Sequence, residues 1–414
     1  MNPMTKQLET SAQKMSRSRR LWLALILGSL SAFGPLSIDM YLPALPELAK
    51  DLHTNASLAQ LSLTACLLGL ALGQLVVGPL SDARGRRWPL IVAVTLYAVS
   101  SILCAMSPSI WTLILLRLIQ GVTGSAGIVI SRAMVRDLYS GSELTKFFSL
   151  LMLVNGVAPI LAPIIGGALL KVTDWHGVFI VLCLISVAML LAAIFGLPET
   201  LPKSRRATGG IKNTLATFRS LVGDKVFMGY ALSHGLVFCA MFAYISGSPF
   251  VLQNIYGVTP QGFSVFFAVN GLGIILATQI TGRLAGRISE RKLLGTGLGL
   301  AALGSILLLA AVLGQMGLIF LLLPLFIVVS CVGIVGTTSF ALAMEKQGHA
   351  AGSASALLGL LPFIAGAVVA PLVGIGGSHT AAPMGIVILL ADVGAVACFI
   401  GLTTGKKKAG KAPL

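Results

Sequence analysis

Apolar segments of about 20 residues recur along the whole chain of 414 residues, with mostly short polar connections between them. A helix of this length crosses roughly 30 Å of hydrocarbon. Inside a bilayer, a helix satisfies its own backbone hydrogen bonds, which irregular chain cannot do. Charged residues make up 10% of the sequence, against about 25% in ordinary soluble domains. The sequence therefore predicts an all-α membrane protein and leaves no room for a large soluble domain.

Twelve transmembrane helices are predicted, and the longest connection divides them into two groups of six. We expect a cytoplasmic segment at 1–20, an N-terminal six-helix bundle at 21–197, a cytoplasmic linker at 198–224, a C-terminal six-helix bundle at 225–404 and a basic tail at 405–414. The predicted spans are 21–43, 57–80, 88–107, 110–131, 146–170, 176–197, 225–250, 260–282, 293–313, 317–340, 350–373 and 383–404.

Basic residues determine the predicted orientation. If the N-terminus is cytoplasmic, 26 of the 29 Lys and Arg residues fall on the cytoplasmic side, while Lys50 and Lys171 fall outside and Arg117 lies within a span. Short loops rich in Lys and Arg stay in the cytoplasm, so both termini are predicted to be cytoplasmic. Despite a net charge of +16, nucleic acid is not expected as a partner, because its binding domains cluster basic residues on one soluble surface. The lipid bilayer is the expected partner.

The polar connections offer no sign of enzyme chemistry. They contain no Ser/His/Asp, Cys/His or metal-ligating constellation and are too short to build one. The six cysteines lie singly inside apolar segments, which suggests neither a disulfide nor a metal site. We therefore expect no enzyme activity, no metal and no cofactor. The cysteines are Cys66, Cys104, Cys183, Cys239, Cys331 and Cys398.

A short charged loop, Gly78-Pro-Leu-Ser-Asp82-Ala-Arg84-Gly85-Arg86-Arg87, connects the second and third predicted spans. Its glycines permit a turn too tight for residues that carry a Cβ. Its arginines hold the loop in the cytoplasm, and Asp82 can lie near the positive N-terminal end of a neighbouring helix. The string resembles the loop signature of the major facilitator superfamily of transporters. That resemblance implies a loop that latches the two halves on the cytoplasmic side.

Asp39 and Arg117 are the leading candidates for a functional pair. Each is a charge inside a predicted span, which costs roughly 3 kcal/mol or more unless it faces water or a partner. Both lie roughly 10 Å below the outer surface, counted at about 1.5 Å per residue, so a pair is possible. A carboxylate beside a permanently charged arginine can act as a proton switch. The alternative is a static ion pair that joins spans one and four.

Two further ionisable residues lie inside predicted spans. Asp392 has no basic residue in its own span, so it is either a protonated, hydrogen-bonded packing residue or part of the transport path. His234 is either a proton carrier or a hydrogen-bonded packing residue.

The two halves of the sequence echo each other. Residues 162–167 (APIIGG) reappear as 370–377 (APLVGIGG), and a degraded copy of the charged loop begins at Gly282. Repeated six-span halves are typical of transporters whose substrate site lies near the middle of the bilayer. Chance similarity between apolar Gly/Pro strings is the alternative explanation.

Several further motifs resemble the bicyclomycin/chloramphenicol-resistance (Bcr/CflA) drug:proton antiporters of the major facilitator superfamily. These motifs are Asp39 to Pro46 in the first span, the loop Gly78 to Arg87, Arg117 with Gln120-Gly121, Trp175 to Phe179, and Pro198 to Pro202. The resemblance covers nearly the whole chain. It implies a monomeric, multi-pass multidrug exporter of the bacterial inner membrane that exchanges a small amphipathic drug for protons. The proton gradient, rather than a cofactor, would drive it.

The fifth predicted span is similar to the signature of drug antiporters, with Ala162 in place of a glycine. Its prolines each remove a backbone hydrogen bond and bend the helix, and its glycines allow close approach of another helix. The direction of transport rests on this signature, and a simple packing kink is the alternative. The residues concerned are Gly156, Pro159, Pro163, Gly166 and Gly167.

Substrate contacts are expected from aromatic and flexible apolar side chains with a few polar anchors. Each candidate has packing or interfacial anchoring as its alternative role. Two other functions remain open: a proton-coupled uptake symporter for a metabolite, and an exporter of a metabolite such as an amino acid. The candidates are Tyr41, Gln120, Asn155, Phe238, Met241, Phe242, Tyr244 and Asn270.

Overall fold

The computed structural model describes residues 17–139, 141–206, 219–345, 347, 351–377 and 379–403. Within these ranges the regular structure is helical, apart from one isolated bridge between Ala285 and Ile288. The helices are α1 (Arg17–Ser31), α2 (Phe33–Asp39), α3 (Leu45–Asp51), α4 (Ala56–Arg84), α5 (Arg87–Ala105), α6 (Ile110–Leu138), α7 (Gly141–Leu169), α8 (Trp175–Gly196), α9 (Lys225–Phe250), α10 (Pro260–Leu284), α11 (Glu290–Leu313), α12 (Leu318–Met344), α13 (Ala351–Val373) and α14 (Ala382–Thr403).

Ten of these helices are long and apolar enough to cross a membrane, by length and composition, within the described ranges. The number becomes eleven if Trp22–Ser31 and Phe33–Asp51, which are bent by 41°, form one broken span. Helices α4 to α14 overlap the second to twelfth predicted spans in order, but the apolar part found in α7 is the shorter stretch Gly156–Leu169. The helical membrane architecture is therefore confirmed, whereas the number twelve stays a prediction.

The chain forms two compact units. Among the described residues, the first unit contains 17–54 and 65–206, and the second contains 55–64 and 219–403. The predicted terminal segments and linker lie partly outside the described residues, which omit 1–16, 207–218 and 404–414.

The start of α4 belongs to the second unit and also forms side-chain hydrogen bonds within it. Gln60 Nε2 donates to the carbonyl of Ser246 at 2.9 Å. Ser57 Oγ donates to the carbonyl of Pro371 at 3.1 Å. Helix α4 thus contributes its first nine residues, 56–64, to the second unit and the remainder to the first.

Several helices begin at a side chain that accepts a free backbone N–H group. Asp174 caps α8 through the N–H of His176 at 3.0 Å, and Thr259 caps α10 through the N–H of Gly262 at 3.1 Å. Asp224 caps α9 in the same way. Such caps satisfy donors that have no partner in the first turn. The boundaries of these helices therefore follow from local sequence.

The core of the first unit packs α1 and α2 against α5, α6, α7 and α8. In it the ring of Phe33 stacks on that of Tyr97, with centroids 4.7 Å apart. Beyond this core, the indole of Trp175 is buried and donates to Asp51 at 2.8 Å. This bond ties α3 to the first residue of α8, which gives the Trp175 motif a structural role.

Candidate functional site

The guanidinium of Arg117 is fully buried in the first unit and is held by α2 and α6 together. Its Nη1 donates to Oε1 of Gln120 at 2.6 Å, and its Nη2 donates to the carbonyl of Ser37 at 2.8 Å. Gln120 Nε2 then donates to Ser101 Oγ on α5 at 2.8 Å. A buried charge is tolerated only where polar groups surround it. These bonds supply part of that environment.

Aromatic rings cover the same guanidinium. Its Cζ lies 4.8 Å from the ring centroid of Tyr41 and 5.6 Å from that of Phe179. A cation over an aromatic face is attracted by the ring quadrupole, by about 2 kcal/mol where water is excluded. Arg117 Nε remains buried without a hydrogen-bond partner in the described part of the chain. One N–H donor of the guanidinium fork, the planar set of N–H groups, is therefore available to an acceptor that this arrangement does not supply.

Asp39 lies at the end of α2 with 5% of its surface exposed. Among the ion pairs within 4 Å of the described residues, none joins Asp39 to Arg117. The direct contact that equal depth made possible is thus absent here, and the guanidinium instead donates to the Gln120 side chain and the Ser37 carbonyl. The sequence did not reveal the Ser37 acceptor, since a backbone carbonyl leaves no trace in a residue pattern. The predicted role of the two residues in proton coupling is a separate matter and is taken up below.

The fifth-span signature contacts the Asp39 segment directly. A Cβ on Gly166 of α7 would collide with the backbone carbonyl of Met40, the residue after Asp39. A glycine is therefore required for the two chains to approach this closely. Around Gly156 nothing lies within 4 Å of such a Cβ. Pro159 and Pro163 lie inside α7 as expected, and the predicted kink stays a prediction.

The charged loop forms a compact polar cluster at the end of α4. Gly85 has φ +96°, a conformation that favours glycine. The guanidinium of Arg86 is buried and bonds to Asp82, to Ser81 Oγ at 2.8 Å and, through Nε, to Asp137 Oδ2 at 2.9 Å. Asp82 therefore pairs with the side chain of Arg86, the residue that precedes the first turn of α5.

Two carboxylates in this cluster were not among the predicted site residues. Glu199 accepts from the backbone N–H of Arg86 at 2.8 Å and of Arg87 at 3.3 Å. Asp137 accepts from Arg86 and from Thr200 Oγ1 at 3.2 Å. The only signal in the sequence was that Asp137 follows the fourth predicted span and that Glu199 follows Pro198. The start of the linker is thus bound to the charged loop.

The cluster shifts the ionisation of its members. Burial alone would lower the pKa of the Arg86 guanidinium, but its bonds to Asp137 and Asp82 raise that pKa above the ordinary value. Partial burial acts to raise the pKa of Glu199, yet the N–H groups of Arg86, Leu201 and Arg87 and the charge of Arg206 bring it below the ordinary value. Both shifts favour the charged forms of Arg86 and Glu199 at neutral pH.

The candidate substrate residues fall into both units. Tyr41 and Gln120 contact Arg117 in the first unit. In the second unit, Asn270 Nδ2 donates to the hydroxyl of Tyr244 at 2.9 Å, and the Tyr244 ring stacks on Phe267 at 5.5 Å.

The other candidates have packing contacts or are not described. Phe238 lies 4.7 Å from the ring of His234, and Phe242 lies 6.2 Å from that of Phe363. Met241 is partly buried against the core of the second unit. The side chain of Asn155 lies outside the described residues.

Ionisable and metal-ligating groups in the second unit are sparse. His234 Nδ1 lies 3.1 Å from Ser339 Oγ, and Asp392 is fully buried. No group of three or more His, Cys, Asp or Glu residues able to hold a metal ion occurs in the portions of the chain that are described. The six cysteines are free thiols.

The fold and these polar centres are those of a multi-pass membrane transporter. The family model of the Major Facilitator Superfamily matches residues 21–371. The chain therefore belongs to this superfamily. The D-xylose-proton symporter has the same fold, with a TM-score of 0.73 at 17% identity over 93% of this chain and 99% of its own.

Two curated relatives extend over most of the chain. An uncharacterized MFS-type transporter, YdgK, of Bacillus subtilis (strain 168) is 50% identical over 95% of this chain and 97% of its own length. The bicyclomycin resistance protein homolog of Haemophilus influenzae is 32% identical over 87% of this chain and 90% of its own. The resemblance to the bicyclomycin/chloramphenicol-resistance transporters is thereby confirmed.

Proposed function

We propose that this chain is a proton-coupled multidrug efflux antiporter of the bacterial inner membrane. It would export small amphipathic drugs, of the kind that includes bicyclomycin and chloramphenicol, by alternating access. In this proposal twelve spans form two six-helix bundles with both termini in the cytoplasm, and the protein acts as a monomer. The drug class comes from the names of its relatives, and the direction of transport from the fifth-span signature.

The observation that carries the proposal is the buried Arg117, which has one unpartnered donor close to the segment that holds Asp39. Arginine keeps its charge in every state, so the acid is the group able to take up a proton. When Asp39 is ionised, its carboxylate can compete for the free Nε of Arg117. When it is protonated, that attraction is lost and Arg117 retains its bonds to Gln120 and Ser37. Each protonation state thus favours a different arrangement of α2 against α6.

Movement of α2 would be transmitted through the close contact between Met40 and Gly166. Because α7 carries the fifth-span signature, this contact connects the acid to the helix that we propose moves during alternating access. The charged loop would latch the cytoplasmic ends of the halves in one state of the cycle. Because Glu199, at the start of the linker, binds the charged loop, the loop would move together with the linker.

The test compares the wild-type protein with Asp39→Asn in two assays. The first measures proton release from purified protein in weakly buffered detergent as bicyclomycin is added. The second measures bicyclomycin efflux from cells that express equal amounts of each protein. We expect wild-type protein to release protons on drug binding and to export the drug. We expect Asp39→Asn to do neither. Full efflux by Asp39→Asn would contradict the assignment of the proton site.

Accumulation of substrate instead of depletion would favour an uptake symporter. A matched control is Asp174→Asn, which removes a carboxylate from an exposed connection while the amide oxygen still caps α8. It is expected to behave as wild type in both assays.

A further inference from the structure

Among the described residues, Asp392 is the other acid buried in a spanning helix, and the mechanism proposed above does not use it. It is the eleventh of the 22 residues of α14, and none of its surface is exposed. At about 1.5 Å per residue, about 15 Å of helix lies on either side of it. Such a residue is costly in a membrane and usually has a function or a partner.

The described residues give Asp392 no partner. Neither carboxyl oxygen has a hydrogen-bond partner among them, and α14 contains no Lys, Arg or His. The hydroxyl of Ser305 on α11 is close enough to interact with the carboxyl group, but its hydrogen bond of normal geometry goes to the carbonyl of Ala302 at 2.9 Å. The carboxyl group is thus enclosed with both of its oxygens unused.

The helices packed around α14 bring no cation to this position. Helix α9 contributes the thiol of Cys239 and α12 contributes that of Cys331. The titratable residues of α11 are confined to its first turn, and α13 has none. The only other titratable residue of α14 itself is Cys398. His234, also on α9, is engaged with Ser339 and Phe238.

An ionised carboxylate without a cation is strongly disfavoured in such surroundings, so the group carries a proton in this arrangement. A permanently neutral acid would still lose free energy by leaving its O–H and C=O unpaired. A purely structural residue at this place would be apolar or hydrogen-bonded. The unused oxygens therefore indicate that the carboxyl group has a partner, or water, in another state of the protein.

We propose that Asp392 is a second proton-binding site, located within the second unit and distinct from Asp39. In the arrangement described here it holds a proton. When α14 shifts against α9 and α11, water reaches the carboxyl group, and the proton passes to that water and is regained on the return. Sodium is a poor fit as the ligand, because hard cations prefer several oxygen ligands, and the neighbouring side chains offer two thiols and one hydroxyl. The inference rests on the proposed function, since it assigns a second proton to the same cycle.

The test uses the full-length protein in lipid nanodiscs and infrared difference spectroscopy. The carbonyl stretch of a protonated, buried carboxyl group is recorded during a pH titration and after addition of bicyclomycin. We expect wild-type protein to show a band that responds to pH or drug, Asp392→Asn to lack it, and Asp174→Asn to keep it. We also expect the pH dependence of bicyclomycin efflux to change in Asp392→Asn. If Asp392→Asn does not fold, Asp392→Glu replaces it and is expected to shift the same band, because the longer side chain moves the carboxyl group.

A band that neither pH nor drug alters would overturn the proposal, as would efflux by Asp392→Asn that equals wild type at every pH. A band that is identical in Asp392→Glu would do the same, because it would not arise from residue 392. Failure of the proposed function would appear separately, as full efflux by Asp39→Asn, because the band that is lost in Asp392→Asn reports on Asp392 and not on Asp39.

Discussion

The guanidinium of Arg117 lies over the ring of Tyr41, with 4.8 Å between Cζ and the ring centroid. Asp39, two residues before Tyr41, makes no ion pair with Arg117. The arginine is thus fixed by neutral groups on α2 and α6. An ion pair would compete with these bonds, so a small change at Asp39 can shift the balance. This makes the arginine fork, rather than charge alone, the property to alter first.

Replacing Arg117 by lysine keeps the charge and removes the fork. A lysine cannot donate in two fixed directions or stack on Tyr41 in the same way. Bonds to a charged group are worth about 1.5–3 kcal/mol each, so we expect drug efflux to fall about tenfold or more, at 1.4 kcal/mol per factor of ten. Efflux from cells with matched expression measures the effect. Arg219→Lys, at an exposed position, serves as the control, and equal efflux by both variants would argue against a role for the fork.

Gly166 and Gly156 belong to the same signature but differ in their surroundings. Gly166→Ala would place a methyl group against the carbonyl of Met40, whereas Gly156→Ala meets nothing within 4 Å. We expect the first variant to lower the unfolding temperature, because overpacking costs about 1–3 kcal/mol. The second should leave it unchanged or raise it slightly, since alanine favours a helix. Thermal unfolding in detergent checks both, and the opposite order would show that α7 does not pack on Met40.

Glu199 is expected to stabilise the charged loop in a pH-dependent way. Its pKa in the folded protein lies below the ordinary value, so its contribution is complete above the pKa of the unfolded chain, about 4.3. It is lost as the pH falls through the lower, folded-state pKa. Glu199→Gln should therefore lower the free energy of unfolding at neutral pH by about 1 kcal/mol. It should also weaken the dependence of that free energy on acid pH.

Unfolding temperatures of wild type and Glu199→Gln, measured from neutral to acid pH, test this expectation. Glu345→Gln removes an exposed carboxylate and is the control. If the two variants behaved alike at every pH, the bond from the Arg86 N–H to Glu199 would make no measurable contribution to stability.

Tyr244→Phe removes the hydroxyl that accepts from Asn270 Nδ2 at 2.9 Å. Both residues are buried, and a buried donor that loses its acceptor costs about 1–3 kcal/mol. We expect a lower unfolding temperature for Tyr244→Phe. Tyr256→Phe removes a similar bond to the carbonyl of Met316, at an exposed position, and should have little effect. A comparable decrease in unfolding temperature in both variants would mean that burial does not determine how much the hydrogen bond contributes to stability.

The sequence determined the membrane class, most span positions and the family. Apolar length is a local property, and the charged loop and the Trp175 motif are contiguous strings that can be recognised without knowledge of the fold. The sequence also marked Asp39, Arg117 and Asp392, because a charge is conspicuous in an apolar segment.

Tertiary structure decided which groups these residues contact. Arg117 binds the carbonyl of Ser37, 80 residues away, and Glu199 binds the backbone of Arg86, 113 residues away. Every residue carries a carbonyl and almost every one an N–H, so no pattern of side chains singles out the one that will be used. The grouping of residues 55–64 with the second unit was hidden for the same reason. Such pairings depend on how the helices pack, and packing is set by the whole chain.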